Sequence, residues 1–130
     1  MALYENSIRL KGFLGKDAEA KQTRNTTSIT VLSVATKSSY RRKEEWVIST
    51  EWHRIVCFNQ LADDAKTLQK GDYVEVEGEL RSSEFESEVG EGRKTTSVKR
   101  RSWEIRAKSV QKLPRNANTD SDIPDEDSAA

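Results

Sequence analysis

The stretch Trp52-His53-Arg54-Ile55-Val56-Cys57-Phe58 holds several side chains whose types and spacing could do chemistry. His53 and Cys57 suggest a thiol activated by an imidazole. On an extended strand, residues four apart lie about 13 Å from each other at ~3.3 Å per residue. A nucleophile and its base need hydrogen-bond reach, about 3 Å, so the local geometry forbids this dyad. No second histidine exists to replace His53, and no H-E-x-x-H, P-loop or G-x-G-x-x-G pattern occurs. Cys57 is the only cysteine, which excludes a disulfide framework and a Cys-x-x-Cys zinc site. No catalytic residue, metal or cofactor is expected, and the chain reads as a non-enzyme.

The same stretch makes better sense as a binding surface. Strand parity puts Trp52, Arg54, Val56 and Phe58 on one face and His53, Ile55 and Cys57 on the other. Flat rings with a guanidinium between them suit nucleic acid, because bases stack on aromatic faces and the cation meets phosphate or base edges. The plainer reading is a core face with Arg54 reaching out at its edge. Further bases follow Tyr40, as Arg41, Arg42 and Lys43, and recur as Arg93, Lys94, Lys99, Arg100 and Arg101. Any one cluster is explained by solvation. Three clusters flanking an aromatic face fit a groove along a phosphate backbone. The acidic run Glu84–Glu91 limits how much of its segment can lie on phosphates.

The elements that must position these residues are mostly strands. Ser7–Leu14 alternates, with Ile8 and Leu10 on one face and Arg9 and Lys11 on the other. Ser28–Lys37 is β-branched and apolar at both parities, and Glu51–Phe58 is the third strand. Leu61–Leu68 has helical spacing at Leu61, Ala65 and Leu68, with Gly71 placed as its C-terminal cap. Tyr73–Leu80 alternates again. Ser102–Leu113 carries Trp103, Ile105 and Ala107, with a bulge before Val110 and Leu113. Five strands with one helix between the third and fourth are the order of an OB-fold barrel, an all-β architecture. Charged loops are expected over Ser38–Thr50 and Ser82–Arg101.

Charge then divides the chain. Lys plus Arg and Asp plus Glu balance at 22 each over 130 residues, a net charge of +0 that taken alone argues against a nucleic-acid ligand. Residues 114–130 hold five acids against one base, with Ile123 as their one large aliphatic residue. Such a segment cannot bury enough apolar surface to offset its ordering entropy, so a disordered acidic tail is expected. Residues 1–113 then form one domain with a charge of +4, and the tail carries −4. No stretch approaches the roughly 18 apolar residues of a membrane span, and Met1-Ala2-Leu3-Tyr4-Glu5 does not read as a signal peptide. A cytoplasmic, nucleoid-associated setting is expected.

Four passages resemble bacterial single-stranded DNA-binding proteins, the SSB family: Gly12-Phe13-Leu14-Gly15-Lys16-Asp17, Leu32-Ser33-Val34-Ala35-Thr36, Thr50-Glu51-Trp52-His53-Arg54, and Val74–Arg81. The likeness covers roughly residues 5–113, and Thr50–Arg54 is its most specific part. Asp120-Ser121-Asp122-Ile123-Pro124 is similar to the acidic tip of that family.

The resemblance implies an OB-fold that assembles as a homotetramer and wraps single-stranded DNA in replication, recombination and repair. It implies stacking on Trp52 and Phe58, on Tyr40 in the second-to-third-strand segment, and on Phe85 after Leu80-Arg81, with Lys43 as the base following Tyr40. His53 would face a neighbouring subunit, and Asp120, Asp122, Ile123 and Pro124 would recruit DNA replication and repair proteins. The chain departs from the family in four places, one of them Asn59-Gln60, which lacks the base expected after Phe58. Ser82, Ser83 and Glu84 stand where bases usually precede the Phe85 position. Asp125 follows Pro124 where the family tip has Phe. Arg93–Arg101 is longer and more basic than the family's turn, as though replacing those lost charges. An RNA-binding OB module and an oligomeric interaction adaptor are the rival readings.

Overall fold

β1 (Ile8–Leu14) turns Ile8 and Leu10 toward the interior and Arg9 and Lys11 outward, as its alternation requires. In the computed structural model, which describes residues 3–92 and 94–114, there follow β2 (Glu19–Gln22), β3 (Ser28–Arg42), β4 (Glu45–Phe58), α1 (Gln60–Ala65), β5 (Tyr73–Glu91) and β6 (Lys94–Lys112). Five of these strands close into a barrel, β1-β5-β6-β4-β3, because β1 pairs with both β5 and β3. The short β2 pairs with the outer edge of β3. With α1 between β4 and β5, the arrangement is all-β and consistent with an OB-fold. No helix among the described residues is long and apolar enough to cross a membrane.

The closure falls on one short strand. Ile8–Phe13 pair with β5, and Phe13 and Leu14 pair with Ala35 and Val34 of β3. Gly12 lies at this crossover, where a Cβ would overlap the Ala35 carbonyl oxygen and press on Val34 Cγ1. Inside, Leu14, Leu32, Val34, Ile55, Cys57, Val74 and Val76 are almost completely buried. Ala62 and Ala65 of α1 pack against this core. The buried Thr30 hydroxyl donates to the Ala62 carbonyl at 2.7 Å, which ties the helix to β3.

Several sequence expectations are revised. The helix runs over Gln60–Ala65, shorter than Leu61–Leu68, and its C-cap is Lys66 in right-handed conformation. Gly71 is not that cap. It adopts φ 90° in the turn before β5 and donates to the Leu14 carbonyl at 2.8 Å. The two segments expected as loops are strands instead. β3 and β4 run paired out to Arg42↔Glu45, and β5 and β6 out to Glu91↔Lys94. Most of their residues are polar and both faces of these hairpins meet solvent, so the apolar period that marks a strand is missing. β2 escaped notice for the same reason, since its four residues are all exposed. The bulge in β6 is where the sequence placed it: Glu77 pairs with Ser109 and Gly78 with Ala107, which leaves Lys108 unpaired between them.

Gly12→Ala should be one of the most damaging single-methyl additions in the barrel, because the clash is with backbone. Urea denaturation is expected to show a loss of at least about 2 kcal/mol, the upper part of the range for overpacking.

Candidate nucleic-acid interface

On β4 the parity argument fixes which side chains meet solvent. Ile55 and Cys57 are 0% exposed and belong to the core, while Trp52 and Phe58 are half-buried on the outer side with Arg54 exposed. Val56 shares that outer side but is covered, with Val31 and Arg106 as its cross-strand neighbours. Arg54 is therefore a surface cation between two rings. The indole Nε1–H of Trp52 is buried with no acceptor among the described residues. A buried orphan donor of this kind costs about 1–3 kcal/mol.

β6 brings a residue that sequence reasoning missed. The parallel pairing of β4 with β6 sets Arg106 opposite Val56, and its guanidinium lies 4.2 Å from the centre of the Phe58 ring. This cation–π contact ties Arg106 to Phe58 on the outer face. Phe58 and Arg106 line a shallow cleft of about 220 Å³ together with Arg81, Ser82, Ser83 and Glu104. A second cleft of about 230 Å³ holds Trp52, His53, Arg54 and Lys16. Lys16 pairs with Glu19 at 3.1 Å and holds that carboxyl below its usual range. Arg54 and Arg106 have no ion-pair partner among the described residues. The outer alternation Glu104, Arg106, Lys108 was the available signal for Arg106, but its placement beside Phe58 depends on a pairing between distant strands.

The hairpins divide the other candidate residues by parity. In β3–β4 the register sets Ala35 opposite Trp52, Ser39 opposite Ile48 and Arg41 opposite Trp46, all on the Trp52 side. Tyr40, opposite Val47, and Arg42 fall on the reverse side. Tyr40 is exposed, yet the register does not bring it into the Trp52 row. Trp46 and Ile48 take that side instead, 70% and 67% exposed. Lys43 sits at the tip, where both Lys43 and Glu44 adopt positive φ.

In β5–β6, Phe85 lies opposite Arg100 on the outer side, continuous with Arg81 and Arg106. Lys99 and Arg101 face the reverse side with Glu84, Glu86, Glu88 and Trp103. Arg101 donates to Glu84 at 2.7 Å and lies 5.8 Å over the Trp103 ring. The acidic run thus engages one of the bases expected to serve phosphate. Lys94 has a place in β6 only. Arg93 lies outside the described residues, as do Asp120, Asp122, Ile123, Pro124 and the rest of residues 115–130.

On the opposite side of β4 stand His53 and Cys57. His53 bonds the Thr36 hydroxyl at 2.9 Å, and burial lowers its pKa. Burial pushes the Cys57 thiol up to about 11. Among the described residues no group of three or more His, Cys, Asp and Glu side chains could hold a metal ion.

Comparison with known proteins bears on the family and the fold. The sequence model of the single-strand binding protein family matches residues 5–113. The fold is similar to the crystal structure of a deletion mutant of the single-stranded DNA binding protein from Thermus aquaticus, with a TM-score of 0.68 and 20% sequence identity. The match covers 85% of this chain and 51% of that one, so this chain spans about half its length.

A buried thiol at about 11 is neutral at ordinary pH and poorly nucleophilic. Cys57 should resist a thiol-specific disulfide reagent at pH 8 in the native protein and react within minutes in denaturant. Fast native labelling would contradict the core placement.

Proposed function

The chain belongs to the single-strand binding protein family, and from that premise we propose that it binds single-stranded DNA without sequence preference. The carrying observation is the outer face of β4, where Trp52, Arg54 and the Phe58–Arg106 contact form a solvent-facing row. Bases stack on Trp52 and Phe58, each contact contributing about 1–3 kcal/mol. At Phe58 the guanidinium of Arg106 either yields its place to a base or stacks on the base itself. Arg54 and Arg81 supply positive charge along the same side. Duplex DNA keeps its base faces inside the stack, so this row has little to offer it.

Around that row the finer reading is as follows. Phe85 and Arg100 extend the path onto the β5–β6 hairpin, and Arg41 extends it onto the β3–β4 hairpin. Tyr40, Arg42 and Lys43 serve a strand that passes over the hairpin's tip. Copies of the chain assemble as a homotetramer, which raises avidity without a new kind of contact. The acidic residues 114–130 compete for the basic face when DNA is absent. Through Asp120, Asp122, Ile123 and Pro124 they recruit proteins of DNA replication, recombination and repair. The work is done in the cytoplasm, on the nucleoid, and involves no catalysis.

Titration with unstructured oligo-dT should quench tryptophan fluorescence strongly, against a background from the exposed Trp46 and Trp103. Trp52→Ala should abolish most of the quenching and weaken binding by about 1–3 kcal/mol. Absence of quenching in the wild type would refute the reading, and tighter binding of a matched RNA would reassign the ligand.

The two faces of the β5–β6 hairpin make a separate prediction. Each phosphate contact contributes about 0.7 to the slope of log affinity against log salt for single strands. Arg100→Gln should flatten that slope by roughly this amount, and Arg101→Gln, paired with Glu84, by much less. Equal changes would refute the division of the hairpin into a binding face and a reverse face.

A further inference from the structure

Beyond the barrel, β5 has an open backbone edge. Leu80 donates its N–H to the Asn6 side chain at 2.9 Å, and its carbonyl accepts from the same amide at 2.8 Å. Both backbone groups of Leu80 therefore point away from β6. The pairing of β5 with β6 is regular from Gly78 to Glu91. With a period of two, the N–H and C=O groups of Ser82, Glu84, Glu86 and Glu88 point the same way as those of Leu80. Nothing among the described residues meets them. β1 lies along that edge only as far as Ile8, opposite Gly78, and Asn6 caps the next position. From Ser82 to Glu88 the open length is about 20 Å at ~3.3 Å per residue.

An open strand edge is a template for a further strand. At Leu80 the template is in use, because the Asn6 amide stands in for strand backbone there. The side chains decide which kind of strand fits beyond it. On the reverse side of the ribbon stand Glu84, Glu86 and Glu88. Glu84 is paired with Arg101 at 2.7 Å, while Glu86 and Glu88 have no ion-pair partner among the described residues. On the outer side Phe85 and Val89 are 47% and 44% exposed. β6 already shows what suits these residues, since it sets Arg101 opposite Glu84, Lys99 opposite Glu86 and Val98 opposite Ser87. A strand added to the open edge meets the same acids from the other side. A second copy of this chain suits that place poorly. Its β5 brings like charge, and its β6 has Arg101 committed to its own Glu84.

We propose that the β5 edge from Ser82 to Glu88 is a docking edge for a partner protein, which adds an extended segment of bases alternating with apolar residues. Backbone hydrogen bonds to Ser82, Glu84, Glu86 and Glu88 supply the affinity, and bases beside Glu86 and Glu88 select the partner. The segment's apolar side chains lie beside Phe85 and Val89. The row of acids that admits such a segment also repels the same edge of another copy, so one feature serves both ends. Docking of this kind does not depend on Trp52 as a stacking platform.

The probe is a labelled seven-residue peptide of alternating lysine and valine, capped at both ends and titrated against the full chain by fluorescence anisotropy without DNA. An isomer with its lysines grouped at the two ends has the same charge but lacks the alternation. The alternating peptide should bind about fivefold more tightly than the isomer. Glu86→Gln/Glu88→Gln should weaken it by about fivefold. Glu86→Pro removes an outward N–H and spares the ladder with β6, a place where an edge strand tolerates proline. It should also weaken binding by about fivefold. Circular dichroism checks that each variant is folded, and the exposed glutamine pair keeps the test decisive if the proline variant is not. Equal binding of the two peptides, or wild-type affinity in the glutamine variant, would overturn the proposal and leave the lysines to the acidic residues 114–130. An assembly mass that falls with Glu86→Pro in the absence of peptide would make the edge a contact between copies of this chain and would also overturn it.

Discussion

Phe13 is the point where β1 passes from β5 to β3, and two residue pairs there, Phe13↔Ala35 and Leu14↔Val34, close the barrel. A seven-residue strand can serve two neighbours only if its backbone comes very near the second one, and Gly12 provides the room. With the sheet closed, the barrel strands acquire an inside and an outside, and the inside sorts Leu14, Ile55 and Cys57 from Trp52 and Phe58. An open sheet of this length would leave edges unpaired and would not dictate which face of β4 meets solvent.

Charge follows the same sorting. The β5–β6 hairpin holds nearly equal numbers of acids and bases, yet register separates them: Glu84, Glu86 and Glu88 share a side with Lys99 and Arg101, while Arg100 stands with Phe85. Cross-strand pairing of opposite charges stabilises such a ribbon modestly and leaves the aromatic side less acidic than composition suggests. Positive charge near Phe58 comes chiefly from Arg81 and Arg106, within the barrel strands.

The sequence was most legible where one side of an element is buried. The alternation at Ile8 and Leu10, the two faces of Trp52–Phe58, and the bulge between Ala107 and Val110 all follow from burial on one face and solvent on the other. Legibility failed where both faces are wet. Ser38–Thr50 and Ser82–Arg101 carry no apolar period, so charge was read as loop, and the side assigned to Tyr40 could not be judged without the register. The Phe58–Arg106 contact was out of reach for another reason. It depends on a parallel pairing of strands 48 residues apart in sequence, which no local pattern encodes. Gly71 shows a third kind of error: its positive φ was anticipated, but it serves a turn that docks on Leu14 and not a helix end.

The joint between β4 and β6 consists of two residue pairs, Ile55↔Ile105 and Val56↔Arg106. Contacts between segments so far apart along the chain carry a large loop-closure entropy and are slow to form. The rings and their cation therefore come together late, after the local hairpins. A chain emerging from the ribosome holds Trp52 and Phe58 early but lacks the strand that backs them until Arg106 has been synthesised. Until then the aromatic residues exist without the closed face that orients them.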